Sequence, residues 1–276
     1  MNGANLMDIK LIACDMDGTL LTSDKKISER TQSAIKKAME AGKIFLIATG
    51  RMYISARPYA KSLDLDVPLV TYNGALVKGS ESEKVLFEHK MKAETAQEVL
   101  HFCKENGYYI QYYIGDDVCI EKGNEFSEYY GRVQNIPITE VGPDLYDMKE
   151  APYKMLVISP LEDAAKVRKA FEERFAGKLD IYNSQPNFLE LMEPGVNKWM
   201  AVKAVAESFN IAPEEIMCLG DSNNDYDMVA NAGVGVAVSN ATDKVLEAAK
   251  IITASNDNDG VAMVLESILT EQAKEF

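Results

Sequence analysis

Asp15-Met16-Asp17-Gly18-Thr19 follows directly on the apolar run Ile9-Lys10-Leu11-Ile12-Ala13-Cys14. A short apolar stretch without alternation, closed by turn residues, predicts a buried β-strand. Ligands of open α/β sheets bind outside the carboxyl ends of strands. Two carboxylates one residue apart at such an end can face a shared point, and Gly18 lets the chain turn sharply away. An Asp-Gly pair alone reads as an ordinary turn. The whole five-residue run at a strand end marks a chemical site.

Outward from that point, strand and helix signals alternate. Ser28 caps a helix that ends at Gly42, with Ala34, Ile35, Ala38 and Met39 at helical spacing on one face. Ile44–Ala48 and Leu69–Thr71 read as further buried strands. The same grammar returns late in the chain: a helix from Asn197, strands at 216–219, 234–238 and 251–252, and helices between them. Strands without alternation, separated by helices, predict a parallel sheet covered on both faces. The middle differs. Tyr108–Ile114, a Gly115-Asp116-Asp117 turn and Val118–Ile120 predict a hairpin, flanked by helical patterns at 94–106 and 162–175. The expectation is an α/β protein, a Rossmann-like doubly wound parallel sheet over residues 1–85 and 192–276, with an α+β cap domain inserted at 86–191.

A second acidic run, Gly220-Asp221-Ser222-Asn223-Asn224-Asp225, again follows an apolar strand. Mg²⁺ takes hard oxygen ligands in near-octahedral geometry and keeps several waters. One side-chain oxygen of Asp15, a backbone oxygen of Asp17 and one oxygen of Asp221 would serve it, with Asp225 orienting its neighbours from outside that shell. Thr49-Gly50-Arg51 after the second strand and Lys198 in the first turn of a late helix can meet a phosphoryl group through a hydroxyl, a backbone N–H and a cation. Each alone is a weak signal.

Composition narrows the field. The chain has 276 residues, 47% hydrophobic and 26% charged, with a formal net charge of −14. That balance excludes a basic nucleic-acid-binding face. It also implies that an anionic substrate needs local positive charge, from a metal and a few side chains. No apolar run is long enough to span a membrane, and the first residues carry no leader pattern, which predicts a cytoplasmic protein. Cys14, Cys103, Cys119 and Cys218 form no metal-ligand spacing, and Cys14 and Cys218 read as small buried hydrophobes.

Taken together, these stretches resemble the haloacid-dehalogenase-like superfamily, in its sugar-phosphatase branch of the Cof type. Asp15-Met16-Asp17-Gly18-Thr19 is similar to its first motif and Thr49-Gly50-Arg51 to its second. Lys198 matches the third, and Gly220–Asp225 with Met228 the fourth; Tyr72-Asn73-Gly74-Ala75 resembles another stretch of the branch. Trp199, after Lys198, departs from the small residue common there. The resemblance implies a phosphatase of small phosphorylated metabolites, sugar phosphates foremost, with Mg²⁺ as cofactor. It implies Asp15 as nucleophile forming an aspartyl-phosphate, and Asp17 as acid and then base, with a pKa above the ordinary aspartate value. Thr49, Gly50, Lys198 and Asn224 would hold the phosphoryl oxygens, with Arg51 and Asn73 nearby on the substrate side. A phosphotransferase or phosphomutase using the same aspartate stays open, because water and a sugar hydroxyl can both accept the phosphoryl group.

Overall fold

Apolar runs of a few residues alternate with capped amphipathic stretches, and the chain folds accordingly. The computed structural model describes residues 9–272; the first residues, read above for a leader, lie outside that range. The chain begins with β1 (Leu11–Asp15), α1 (Glu29–Glu40), β2 (Ile44–Ala48), α2 (Tyr53–Lys61), β3 (Pro68–Thr71), β4 (Leu76–Gly79) and β5 (Val85–Glu88). There follow α3 (Ala93–Asn106), β6 (Ile110–Ile114), β7 (Asp117–Ile120), α4 (Glu125–Gln134), β8 (Thr139–Glu140), β9 (Lys154–Ile158), α5 (Ala164–Arg174), β10 (Asp180–Gln185) and β11 (Phe188–Met192). The last stretch holds α6 (Lys198–Ser208), β12 (Ile216–Gly220), α7 (Tyr226–Asn231), β13 (Val234–Val238), α8 (Asp243–Ala248), β14 (Ile251–Thr253) and α9 (Gly260–Gln272). The described residues up to Glu88 pack with those from Asn197 onward as one unit, and His89–Val196 form a second.

The first unit is built on an eight-stranded sheet in the order β14-β13-β12-β1-β2-β3-β4-β5. Its strands run parallel from β14 to β3. β4 and β5 then add antiparallel, a hairpin edge that the sequence reading did not assign. Their connections are too short for a crossover helix, so the chain can only double back. After β1 the chain moves outward through β2 and β3; after the second unit it re-enters at β12 and moves the other way. The direction reverses between β1 and β12, the place where open α/β sheets form ligand crevices.

Side chains alternate across a strand, so Leu11, Ala13 and Asp15 share one face of β1. Leu11 and Ala13 join Leu46, Ala48, Ile216 and Cys218 in a buried cluster covered by Ala201, Val202 and Val205 of α6 and Met228 of α7. α1 covers the other face beside α9. Ser28 caps α1 by accepting the Thr31 backbone N–H, and Thr31, Ala34, Ile35 and Ala38 are its buried side. All four cysteines are buried and free.

The second unit holds a six-stranded sheet, β10-β11-β9-β6-β7-β8, with β6 and β7 as the expected antiparallel hairpin. α3 and α5 cover one face through Val99, Leu100, Cys103, Val167, Phe171 and Phe175. Among the described residues, no helix is long and apolar enough to cross a membrane.

Gly74 decides how α6 is seated. Its φ is +112°, and a Cβ there would come within 2.2 Å of the carbonyl oxygen of Asn197, the residue that caps α6. Gly74→Ala is therefore expected to lower unfolding stability by about 1–3 kcal/mol, through strain and displacement of the helix start. Urea denaturation measures it, and an unchanged midpoint would show that α6 does not depend on this approach.

Candidate active site

Asp15 ends β1 on the face that α6 covers, so the first residue of that helix can reach it. Lys198 does. Its ammonium donates to Asp15 Oδ1 at 2.5 Å and to Asp225 Oδ1 at 2.6 Å. The lysine that in sequence resembles any solvated first-turn lysine is 1% exposed. Asn197 fixes the turn by accepting the Met200 backbone N–H, and half-buried Trp199 packs onto the core cluster next to it. Burial alone would push the Lys198 pKa down, but the two carboxylates outweigh it and hold the ammonium protonated well above its ordinary range.

Asp225 is completely buried. Its Oδ2 accepts the backbone N–H groups of Asp221 and Ser222 at 3.1 and 2.9 Å. Both of its oxygens are thus used in tying the β12–α7 turn to Lys198. Asp221 accepts hydrogen bonds from the hydroxyls of Thr19 and Ser222, each at 2.9 Å. Gly18 makes the junction of the two loops possible. It has φ +85°, and a Cβ there would lie 2.6 Å from Asp221 Oδ2. Thr19 and Ser222 were not assigned roles from sequence; their place inside the two acidic runs was the available signal.

Carboxylate oxygens of Asp15, Asp221 and Asp225 lie within 4.8 Å of one another. Three carboxylates against one ammonium leave an uncompensated negative excess in a mostly buried space. Asp15 Oδ2 is buried and accepts no hydrogen bond. Burial first, then the charge of Asp225, pushes the Asp15 carboxyl well above the ordinary aspartate range. The same two causes raise Asp221. An unpartnered buried oxygen, hard ligands and excess negative charge fit a small divalent cation, which would reverse those shifts. Asp15 and Asp221 have oxygen capacity for it, whereas Asp225 is already engaged.

The Asp17 side chain stands apart from this cluster. Arg51 grips it with both Nε, at 2.7 Å to Oδ2, and an outer nitrogen, at 2.5 Å to Oδ1. Lys25 adds a third bond to Oδ1 at 3.0 Å. Burial works to raise the Asp17 pKa, yet the hydrogen bonds and charges of Arg51 and Lys25 outweigh it and hold the carboxyl below its ordinary value. This corrects the sequence expectation of a raised pKa. Nearby carboxylates and partial burial can raise an aspartate, but here two cations outweigh the burial. No local sequence signal marks Lys25, which comes to Asp17 only through the turn after β1. Arg51 also lies over the Tyr59 ring, at 5.2 Å from its centroid.

Thr49 is buried at the end of β2, its hydroxyl accepting the Arg51 backbone N–H at 3.1 Å. Asn224 donates to the Asn73 side-chain oxygen at 3.1 Å. A Cβ on Gly50 would stand 2.8 Å from that same oxygen. The structure therefore brings Asp15, Lys198, Asp221 and Asp225 into one group, joins Asp17 to Arg51, and joins Asn73 to Asn224 beside Gly50.

Comparison with known proteins follows the same lines. The profile of a family described as haloacid dehalogenase-like hydrolase matches residues 12–265. A Bacillus subtilis 5-amino-6-(5-phospho-D-ribitylamino)uracil phosphatase is 34% identical over 259 residues, covering 94% of this chain and 95% of its own. Among solved structures, a haloacid dehalogenase-like hydrolase from Bacteroides thetaiotaomicron is 30% identical with a TM-score of 0.85, over 94% of this chain and 99% of that one. A Thermotoga maritima protein is 33% identical with a TM-score of 0.86, over 94% and 97%.

Asp17 is held ionised by its partners, so the stability they lend is complete above the unfolded aspartate pKa of about 3.9 and is lost as pH falls through the lower folded value. Arg51→Met is accordingly expected to be less stable than the parent at pH 7, with the gap closing below about pH 4. Urea midpoints across that range test it; a gap constant with pH would place the Arg51 contribution outside its pairing with Asp17.

Proposed function

The chain belongs to the haloacid dehalogenase-like hydrolases, and on that footing we propose that it is a Mg²⁺-dependent phosphatase of sugar phosphates and related small metabolites, acting through a phosphoaspartate on Asp15. The observation that carries this reading is the state of Asp15. Lys198 holds Oδ1, while Oδ2 is buried and without a partner. A carboxylate fixed by one oxygen presents the other as an oriented nucleophile.

In this reading Asp15 forms a bond to phosphorus as the ester bond to the leaving alcohol breaks. Asp17 supplies a proton to the departing oxygen. Water then attacks phosphorus in the aspartyl-phosphate and gives its proton to Asp17, which releases phosphate, restores the Asp15 carboxylate and leaves Asp17 protonated as it began. Lys198, the Thr49 hydroxyl, the Gly50 backbone N–H and the Asn224 amide are assigned to the phosphoryl oxygens, where fixed donors oppose the charge that develops. Asp225 orients Lys198 and the Asp221 loop. Mg²⁺ would be held by Asp15, Asp221 and the backbone oxygen of Asp17, and would supply the charge that offsets repulsion between a carboxylate and a phosphate dianion.

The Bacillus subtilis relative is named for a phosphate ester at the end of a ribityl chain. That is a primary phosphate on a polyol, the same kind of leaving group as the terminal position of a sugar phosphate. Both belong to the substrate class proposed here, alongside other small phosphorylated metabolites.

Release of phosphate from an aryl phosphate and a panel of sugar phosphates, with Mg²⁺ and with EDTA, tests the reading. EDTA is expected to abolish release. Asp15→Asn is expected to lose about 10³-fold or more in turnover with the fold retained; turnover above about a tenth of the parent would sink the nucleophile assignment. Asp221→Ala should weaken Mg²⁺ binding measured directly by calorimetry, and unchanged affinity would remove Asp221 from the metal set.

A further inference from the structure

Two cations converge on Asp17: Arg51 holds both of its oxygens and Lys25 one of them. One carboxylate does not neutralise two cations, so the contact at Asp17 keeps a local positive excess; the other carboxylates at this turn, Asp24 and Asp257, are engaged by Lys26 and Ser23.

Lys25 is placed there by construction. Its φ is +61°, a left-handed backbone that few non-glycine residues adopt. The Lys25 backbone N–H donates to the Thr22 carbonyl, and the Thr22 N–H to the Lys26 carbonyl, both at 2.9 Å. The turn is anchored from the far end of the chain. Asp257 accepts the Ser23 backbone N–H and hydroxyl at 2.7 and 2.6 Å, and the Asn256 amide donates to the Leu21 carbonyl at 2.9 Å. The adjacent Lys26 is committed elsewhere, to Asp24 at 2.8 Å.

We propose that Lys25, with Arg51, forms an anion subsite on the leaving-group side of the scissile bond. It selects phosphorylated metabolites whose leaving group carries a second anionic substituent, a carboxylate or a further phosphate. This rests on the reading of Asp17 as proton donor, since groups that touch the donor must border the oxygen it protonates. A second anion there meets the remaining donors of Arg51 and Lys25, two cations that otherwise share one carboxylate.

The test measures inhibition of aryl phosphate turnover by 3-phosphoglycerate and by glycerol 3-phosphate, at constant ionic strength and constant free Mg²⁺. These compounds differ in a carboxylate against a hydroxymethyl group. The parent enzyme is expected to bind the carboxylate-bearing compound about tenfold more tightly. Lys25→Met should bring the two within about twofold while leaving glycerol 3-phosphate unchanged, and Lys25→Arg should restore most of the preference. Lys26→Met should leave the ratio as in the parent. Equal inhibition in the parent, a preference that survives Lys25→Met, or an equal loss in Lys26→Met would overturn the subsite. Aryl phosphate turnover that persists in Asp15→Asn would instead sink the phosphatase mechanism itself, so the two failures are separable.

Discussion

A buried ammonium between two buried carboxylates is the contact on which the rest of the candidate active site depends. Lys198 bridges Asp15, at the end of β1, and Asp225, in the turn after β12. Taking three charges out of water costs several kcal/mol per ion before their mutual attraction is counted. Well-packed apolar residues would be at least as stable there. What the triad contributes is position: it ties the two strands on either side of the sheet's switch point to the first turn of α6. Alternation along β1, the Asn197 cap and the close approach allowed by Gly74 all lead to that one contact.

The charge pattern around it is divided. Near Asp15 the excess is negative, which suits a divalent cation and makes an unpartnered carboxylate oxygen tolerable. Around Asp17 the excess is positive, supplied by Arg51 and Lys25. An acidic protein can therefore receive an anionic ester without a basic surface, because the cations are confined to the few positions that meet it.

The second unit carries its own buried polar layer on the sheet face opposite α3 and α5. Tyr113 donates to Gln111 at 2.7 Å, Lys154 pairs with Glu190 at 3.3 Å, and all four are buried. A buried ion pair of this kind is weak support for stability, and its polar demands restrict how β6, β9 and β11 can be arranged. The tyrosine-rich character of this stretch in sequence is thus partly a matter of satisfying a polar interior.

The sequence by itself determined the alternating order of strands and helices, the Ser28 and Asn197 caps, the central hairpin, and the two acidic runs at strand ends. These depend on short-range rules: periodicity, capping chemistry and turn residues act within a few positions of one another. The antiparallel β4–β5 edge escaped that reading, because strands of four residues, one mostly buried and one mostly exposed, carry little periodic signal. Only the tertiary structure decided that Lys198 is buried, that Asp225 serves it, and that Arg51 and Lys25 grip Asp17 and lower its pKa. Each of those outcomes depends on which residues distant in the chain meet at one point, and a pKa follows the charges that meet, not the neighbours in sequence.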